Sequence, residues 1–172
     1  GSPEIYRGVF RQCGIVETES LEEMFDAAKL LDRCPRPGGR RVQVVTNGGG
    51  FGILCADYAQ RQGLRMDDLP GQVVAALKRV FPRDHILKNP LDLTGGATTE
   101  EYEVAIDACL ASKDVELVVV VLLLQTPLIT PDIVPYLIKR VKTAKKPVVV
   151  VSTGGDFVEV YIRQLEAGGV PC

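Results

Sequence analysis

Asn47-Gly48-Gly49-Gly50-Phe51-Gly52 directly follows the apolar run Val42-Gln43-Val44-Val45-Thr46 and precedes Ile53-Leu54-Cys55-Ala56-Asp57-Tyr58-Ala59. A β-branched run, a glycine-rich turn and a helix-like segment read as strand, tight turn and helix N-terminus. In that arrangement free backbone N–H groups and the positive end of a helix dipole face outward, and the chemistry they offer is anion recognition, phosphate foremost. Glycines let the chain turn with positive φ and let a ligand approach without meeting a Cβ. An ordinary turn between strand and helix uses one or two glycines, so both readings stand. Four glycines within six residues exceed what a turn needs and favour the anion.

Further candidates share this donor character. Asn89-Pro90-Leu91-Asp92-Leu93-Thr94-Gly95-Gly96 is a short extended segment, in which Pro90 suits a sheet edge or strand entrance. Asp92 belongs either to a site or to a turn in which it bonds backbone. Gln125 and Thr126 follow a long apolar run, and Gly154-Gly155-Asp156 follows another, with Asp156 placed as a first-turn acid. No nucleophile–base pair stands among these residues. The single histidine, His85 in Phe81-Pro82-Arg83-Asp84-His85-Ile86, follows a turn and reads as a loop residue rather than a catalyst. One histidine and no clustered carboxylates make a transition-metal site improbable.

The elements that must position these residues alternate along the chain. A strand at 41–46 leads to a helix at 51–62, and a second helix at 70–80 is closed by Phe81-Pro82. The extended segment at 89–93 precedes a helix at 100–111 capped by Thr98 or Thr99. Then come a continuously apolar strand at 117–124, a helix at 131–144, a strand at 147–152, a helix at 155–167 and a short terminal strand at Gly169-Val170. Uninterrupted apolar strands alternating with helices predict a doubly wound parallel sheet. Such sheets bind ligands beyond the carboxyl ends of their strands, here 46–52, 94–97, 125–131 and 152–156. Upstream, the spacing of Leu21, Met24, Phe25, Ala28 and Leu31 predicts a helix capped by Ser20, with Glu23 completing a capping box. Cys34-Pro35-Arg36-Pro37-Gly38-Gly39 breaks the chain, dividing an N-terminal helical arm and linker, 1–38, from an α/β body, 39–172.

Composition narrows the function classes. The 172 residues suit one domain with a core of Val, Leu, Ile and Ala, since tryptophan is absent and aromatics are few. A net charge of −2 with scattered Lys and Arg gives no footprint for nucleic acid. The densest basic patch, Lys139-Arg140 with Lys142 and Lys145-Lys146, reads as a solvated helix C-terminus. The apolar run 117–124 is too short to span a bilayer, and no segment resembles a signal peptide. Five widely spaced cysteines without a Cys-x-x-Cys pair argue against a disulfide framework or zinc site and fit reduced thiols in a cytoplasmic protein. Gly1-Ser2 reads as a cloning remnant, so the natural polypeptide is expected to extend upstream.

Several of these segments match one family pattern. Phe10-Arg11-Gln12-Cys13-Gly14-Ile15 and Leu21 to Ala28 resemble the entry segment of the NDP-forming acyl-CoA synthetases, the ADP-forming acetyl-CoA synthetase group. Val44 to Gly52 looks like their Thr-Asn-Ala-Gly-Gly-Pro-Gly turn, and Asn89 to Leu93 is similar to their Asn-Pro-Val-Asp-Leu motif. Leu165 to Pro171 resembles the Gly-Ile-Pro that closes their domain. Asn89 to Gly96 also resembles the carboxy-terminal domain of the succinyl-CoA synthetase β subunit.

The resemblance implies a flavodoxin-like CoA-ligase domain over 39–172. It implies a parent that interconverts acyl-CoA, phosphate and ADP with acid, CoA and ATP through an acyl phosphate and a phosphohistidine. Asn47, Gly48, Gly49 and Gly50 would then face phosphate, with Asn89, Asp92, Gly95, Gly96, Gln125 and Thr126 near the same site. The implied partners are a CoA-binding Rossmann domain, a phosphohistidine domain and an ATP-grasp domain. CoA, ATP or ADP and magnesium would be used by the parent, none bound by this domain alone.

Two departures matter. The family's Ser-His-Thr-Gly segment is absent, and His85 stands elsewhere, so it does not inherit the phosphohistidine role. Gly49-Gly50-Phe51 replaces the more usual Gly-Gly-Pro, which predicts a looser turn. By itself the chain should bind weakly and catalyse nothing. An alternative is the acyl-CoA-synthetase-like regulatory module of a protein lysine acetyltransferase, which senses ligand without ligation. A third reading, a flavin mononucleotide site, is disfavoured by the scarcity of aromatics near the strand ends.

Overall fold

The structure, a computed structural model, describes residues 2–81 and 85–172. The chain divides into two compact units, Gly1–Asp32 and Arg33–Cys172. The expected closure of the second body helix by Phe81-Pro82 falls partly outside the described residues, at 82–84.

The first unit holds helix α1, Pro3–Cys13, and helix α2, which runs Leu21–Arg33 into the unit boundary. Pro3 opens α1, and Gly14, at φ 68°, closes it as the N–H of Ile15 reaches back 2.8 Å to the Phe10 carbonyl. Ser20 Oγ accepts the Glu23 N–H at 3.1 Å, as the capping expectation requires. The reciprocal bond is displaced by one residue, because the Glu23 carboxylate accepts the N–H of Glu19 rather than that of Ser20. No residue of either helix is buried.

The second unit contains β1 Val42–Thr46, α3 Gly49–Arg61, α4 Gly71–Leu77, β2 Ile86–Leu87, β3 Leu91–Asp92, α5 Thr99–Ala111, β4 Leu117–Val121, α6 Ile133–Thr143, β5 Val148–Val151 and α7 Asp156–Ala167. Its sheet has the order β2-β3-β1-β4-β5. The strands β3, β1, β4 and β5 are parallel, giving the flavodoxin-like order 2-1-3-4 with the β2 edge set aside. β2 runs antiparallel to β3, so the sheet is mixed rather than wholly parallel. Only Lys88, Asn89 and Pro90 join β2 to β3, and so short a connection permits only antiparallel pairing.

Two predicted strands change length for identifiable reasons. The apolar run at 117–124 leaves the ladder at Val121, because both backbone groups of Leu123 are taken by the Asn47 side chain. Gly169-Val170 is no strand: the N–H groups of both residues close the end of α7 on the carbonyls of Glu166 and Leu165. Only the Pro171 carbonyl reaches β5, accepting the Val150 N–H at 2.9 Å.

Val45, Val118, Val120, Val148 and Val150 pack in one core with Tyr102, Ala105, Ile106 and Cys109 of α5 and with Ile133, Leu137 and Leu165. Each such aliphatic side chain contributes roughly 1.5–3 kcal/mol on burial, so the central strands are the most stable part of the unit. The basic patch is less solvated than its sequence suggests. Lys146 Nζ donates to the carbonyls of Ser112 and Val115 at 2.6 and 2.7 Å, holding the end of α5, and Arg140 pairs with Asp107.

Candidate functional site

The chain leaves β1 toward β3 and leaves β4 toward β5, so the carboxyl ends of β1 and β4 flank the topological switch point of the sheet. Asn47, the first residue beyond β1, is buried there and ties the two ends together. Its Nδ2 donates to the Leu123 carbonyl at 3.1 Å and to Thr126 Oγ1 at 2.9 Å. Its Oδ1 accepts the Leu123 N–H at 2.9 Å and lies 2.8 Å from the Tyr102 hydroxyl. Tyr102 also reaches the Val121 carbonyl at 2.6 Å, and burial raises its phenol well above the ordinary tyrosine range. All the hydrogen-bonding capacity of the Asn47 amide is therefore spent inside the protein. Its side chain shapes the turn.

The glycines above Asn47 are needed for close approach and not for positive φ, since none of Gly48, Gly49, Gly50 or Gly52 has one. A Cβ on Gly48 would fall 2.5 Å from Leu123 Cδ1, one on Gly49 2.7 Å from an Asp92 carboxylate oxygen, and one on Gly52 2.9 Å from Thr46 Cγ2. Gly50 is different: a Cβ there would meet nothing within 4 Å. No side chain caps α3. Gly48 donates its N–H to Thr46 Oγ1 at 2.9 Å, whereas the N–H groups of Gly49, Gly50 and Phe51 find no acceptor among the described residues. Helix α5 contrasts with it. There Thr98 and Glu101 form a full capping box that satisfies the first turn internally.

Of the sequence-derived candidates, the structure brings Asp92 beside this N-terminus and Thr126 against Asn47. Asp92, at the end of β3, sits beside Gly49 and accepts the Thr94 N–H on Oδ1 at 2.8 Å, the backbone-bonding turn role left open for it. Thr94 has φ 62°, unusual for a β-branched residue, and hands the chain to the exposed Gly95-Gly96 turn. Gln125 Nε2 donates to the Thr153 carbonyl at 3.0 Å, joining the ends of β4 and β5. Beyond it Gly155, at φ 59°, opens α7, whose N-terminus also has no side-chain cap.

Asn89 lies apart from the others. Its Oδ1 accepts the Val44 N–H at 3.1 Å and its Nδ2 donates to the Val42 carbonyl at 2.7 Å, so it pairs with the early half of β1. The ladder sets Asp92 opposite Thr46, at the other end of that strand. Asn89 thus serves as a substitute strand partner on β1, away from the glycine turn. His85 is buried against Phe81, ring centroids 5.0 Å apart, with Nε2 3.5 Å from the Glu101 carboxylate that caps α5. Tyr102 and Thr94 were not singled out from sequence, although the α5 periodicity places Tyr102 on the inward face with Ala105, Ile106 and Cys109.

Comparison with known proteins bears on this arrangement. The family model described as Ligase-CoA domain matches residues 42–170. Over 174 aligned residues the chain is 33% identical to acetate–CoA ligase (ADP-forming) I subunit alpha of Pyrococcus furiosus, covering 99% of this chain and 37% of that protein. It is 30% identical to acetate–CoA ligase (ADP-forming) I of Archaeoglobus fulgidus over 99% of this chain and 24% of that one. The solved dinucleotide-forming acetyl-coenzyme A synthetase 1 of Ca. Korarchaeum cryptofilum, in complex with phosphate and ADP, superposes with a TM-score of 0.90 at 32% identity. That likeness covers 99% of this chain and 37% of the solved one. The chain therefore spans less than two-fifths of the length of these relatives. The match runs from β1 through α7, and the chain belongs to the Ligase-CoA domain family.

Proposed function

We propose that this domain is one part of an ADP-forming acyl-CoA synthetase and supplies a helix N-terminus that faces phosphate in the parent active site. The observation that carries the reading is Gly50. A Cβ at 48, 49 or 52 would crowd Leu123, Asp92 or Thr46, whereas one at 50 would meet nothing within 4 Å, and the N–H groups of Gly49, Gly50 and Phe51 have no acceptor among the described residues. Three free donors at the start of a 13-residue helix suit a phosphoryl group, which they meet with fixed dipoles and no reorganisation. The uncapped start of α7 lies on the same sheet edge.

The chemistry is the reversible conversion of acyl-CoA, phosphate and ADP to acid, CoA and ATP, with the phosphoryl group carried on a histidine of another domain of the parent. His85 stands outside the family's Ser-His-Thr-Gly segment and is not assigned that role. CoA and nucleotide bind elsewhere in the parent, on Rossmann and ATP-grasp domains. Magnesium would enter the parent site with the nucleotide. Five free cysteines suit the cytoplasm, and no described helix is long and apolar enough to cross a membrane. The relatives named above are ligases, and none favours the acetyltransferase-linked regulatory reading. Trapping of an acid-labile phosphoenzyme from γ-labelled ATP in the full-length parent tests the proposal. Label that chases to ADP, or to acid and CoA, supports it. A folded parent that takes up no label overturns it.

A further inference from the structure

At two helix starts of this chain an acid gives its oxygen to the backbone. The Glu101 carboxylate accepts the Thr98 N–H at 2.9 Å at the start of α5, and the Glu23 carboxylate accepts the Glu19 N–H at 2.8 Å ahead of α2. Asp92 breaks this pattern at the start of α3. Its Oδ1 is held by the Thr94 N–H at 2.8 Å, and the ladder fixes its place opposite Thr46, the last residue of β1. Its Oδ2 stands 2.7 Å from where a Cβ on Gly49 would lie, so the side chain missing at 49 is what admits the carboxylate to the helix mouth. Yet Asp92 caps none of the N–H groups of Gly49, Gly50 and Phe51, and Oδ2 has no hydrogen-bond partner among the described residues. An acceptor-only group and three free donors therefore meet at one helix end, neither spent on the other.

Free donors alone suit any oxyanion. Free donors with an unpaired carboxylate oxygen beside them suit an oxyanion that also carries a proton. We infer that Asp92 is a specificity-determining residue of the α3 site, selecting protonated phosphate over an oxyanion without a proton, such as sulfate. The inference rests on the phosphate-facing reading of α3 and adds to it the protonation state of the ligand. The N–H groups at the start of α3 take the bare oxygens of the phosphate, and Asp92 Oδ2 accepts a hydrogen bond from its P–OH. Inorganic phosphate keeps at least one proton at neutral pH and can make that bond. Sulfate keeps none, so it loses the bond and sets its own charge against the carboxylate. A site built around such an acceptor rejects an analogue that lacks the donor far more strongly than shape alone would. Asp92 is half-buried and tied through Oδ1, so it does not turn aside freely to admit the wrong ion.

Competition of sulfate with phosphate during ATP formation from acyl-CoA and ADP by the full-length parent tests it. The quantity read is the ratio of the sulfate inhibition constant to the KM for phosphate. In the wild-type parent that ratio should exceed one by about tenfold or more. Asp92→Asn keeps an oxygen for the Thr94 N–H and turns the other oxygen into a donor, so it should lower the ratio by about tenfold or more. Damage to the fold alone would weaken both ions together and leave the ratio where it was. An unchanged ratio in the folded variant would overturn the inference. So would a wild-type ratio near one, a result that needs no variant at all. A KM for phosphate that responds to Gly50→Ala beside an unchanged ratio in Asp92→Asn would leave the phosphate-facing helix standing and remove the role of Asp92 alone. Phosphate kinetics indifferent to Gly50→Ala would remove the reading on which that role rests.

Discussion

An Asp92 carboxylate oxygen lies 2.7 Å from where a Cβ on Gly49 would sit. The end of β3 and the start of α3 are thereby pressed together with one negative charge at the helix N-terminus, where the helix dipole favours it. Asp92 cannot swing aside freely, because its other oxygen holds the Thr94 N–H at 2.8 Å.

Gly49→Ala must either displace Asp92 or shift the helix. The expected cost is about 1–3 kcal/mol, read as a lowered melting temperature of the domain. Gly50→Ala has open space around it and a better helix former in place of glycine, so its stability should be unchanged or raised by up to ~1 kcal/mol. Equal melting temperatures for the two variants would contradict the geometry.

Asn47→Ala leaves the Leu123 N–H without its acceptor, removes one of the donors to the Leu123 carbonyl and leaves Tyr102 with one acceptor fewer. Buried groups left unpaired cost about 1–3 kcal/mol each, so chemical denaturation should show a loss of at least ~2 kcal/mol. A loss within error of zero would show that the amide does not bind β1 to β4.

Asn89→Ala should likewise destabilise the domain, through the bonds lost from Val42 and Val44. In the folded parent it is expected to leave the KM for phosphate unchanged. A raised KM at undiminished stability would place Asn89 in the site after all.

Burial pushes the Cys109 thiol up to about 12. The unfolded thiol ionises near pH 8.5, so the unfolded state releases its proton first as pH rises. This contribution to stability is complete below about pH 8.5 and declines through the alkaline range toward 12. At pH 8 a disulfide reagent should modify the exposed Cys13 rapidly and Cys109 only at the rate of unfolding. A single fast phase for all five cysteines in the native protein would contradict this burial.

Much of the sheet was legible because its strands are β-branched and its helices carry their caps: Thr98 and the valine runs say where α5, β4 and β5 begin. The glycine turn was legible in place but not in mechanism, since only the fold reveals that Leu123, Asp92 and Thr46 crowd three of the glycines. Asn89 meets the early half of β1 for a physical reason. An amide can replace a strand partner as readily as it can contact a ligand, and its position three residues before Asp92 does not say which end of β1 it meets. The end of β4 was equally hidden, because it depends on a side chain 76 residues away.

The measurement that bears most directly on the central claim is the phosphate dependence of ATP formation from acyl-CoA and ADP by the full-length parent and its Gly50→Ala variant. A methyl group added beside the free donors of α3 should raise the KM for phosphate by about tenfold or more, or lower kcat by as much, at unchanged melting temperature. Wild-type phosphate kinetics in the variant would contradict a phosphate-facing role for this helix. A folded parent that forms no ATP from acyl-CoA, phosphate and ADP would contradict the proposed activity itself.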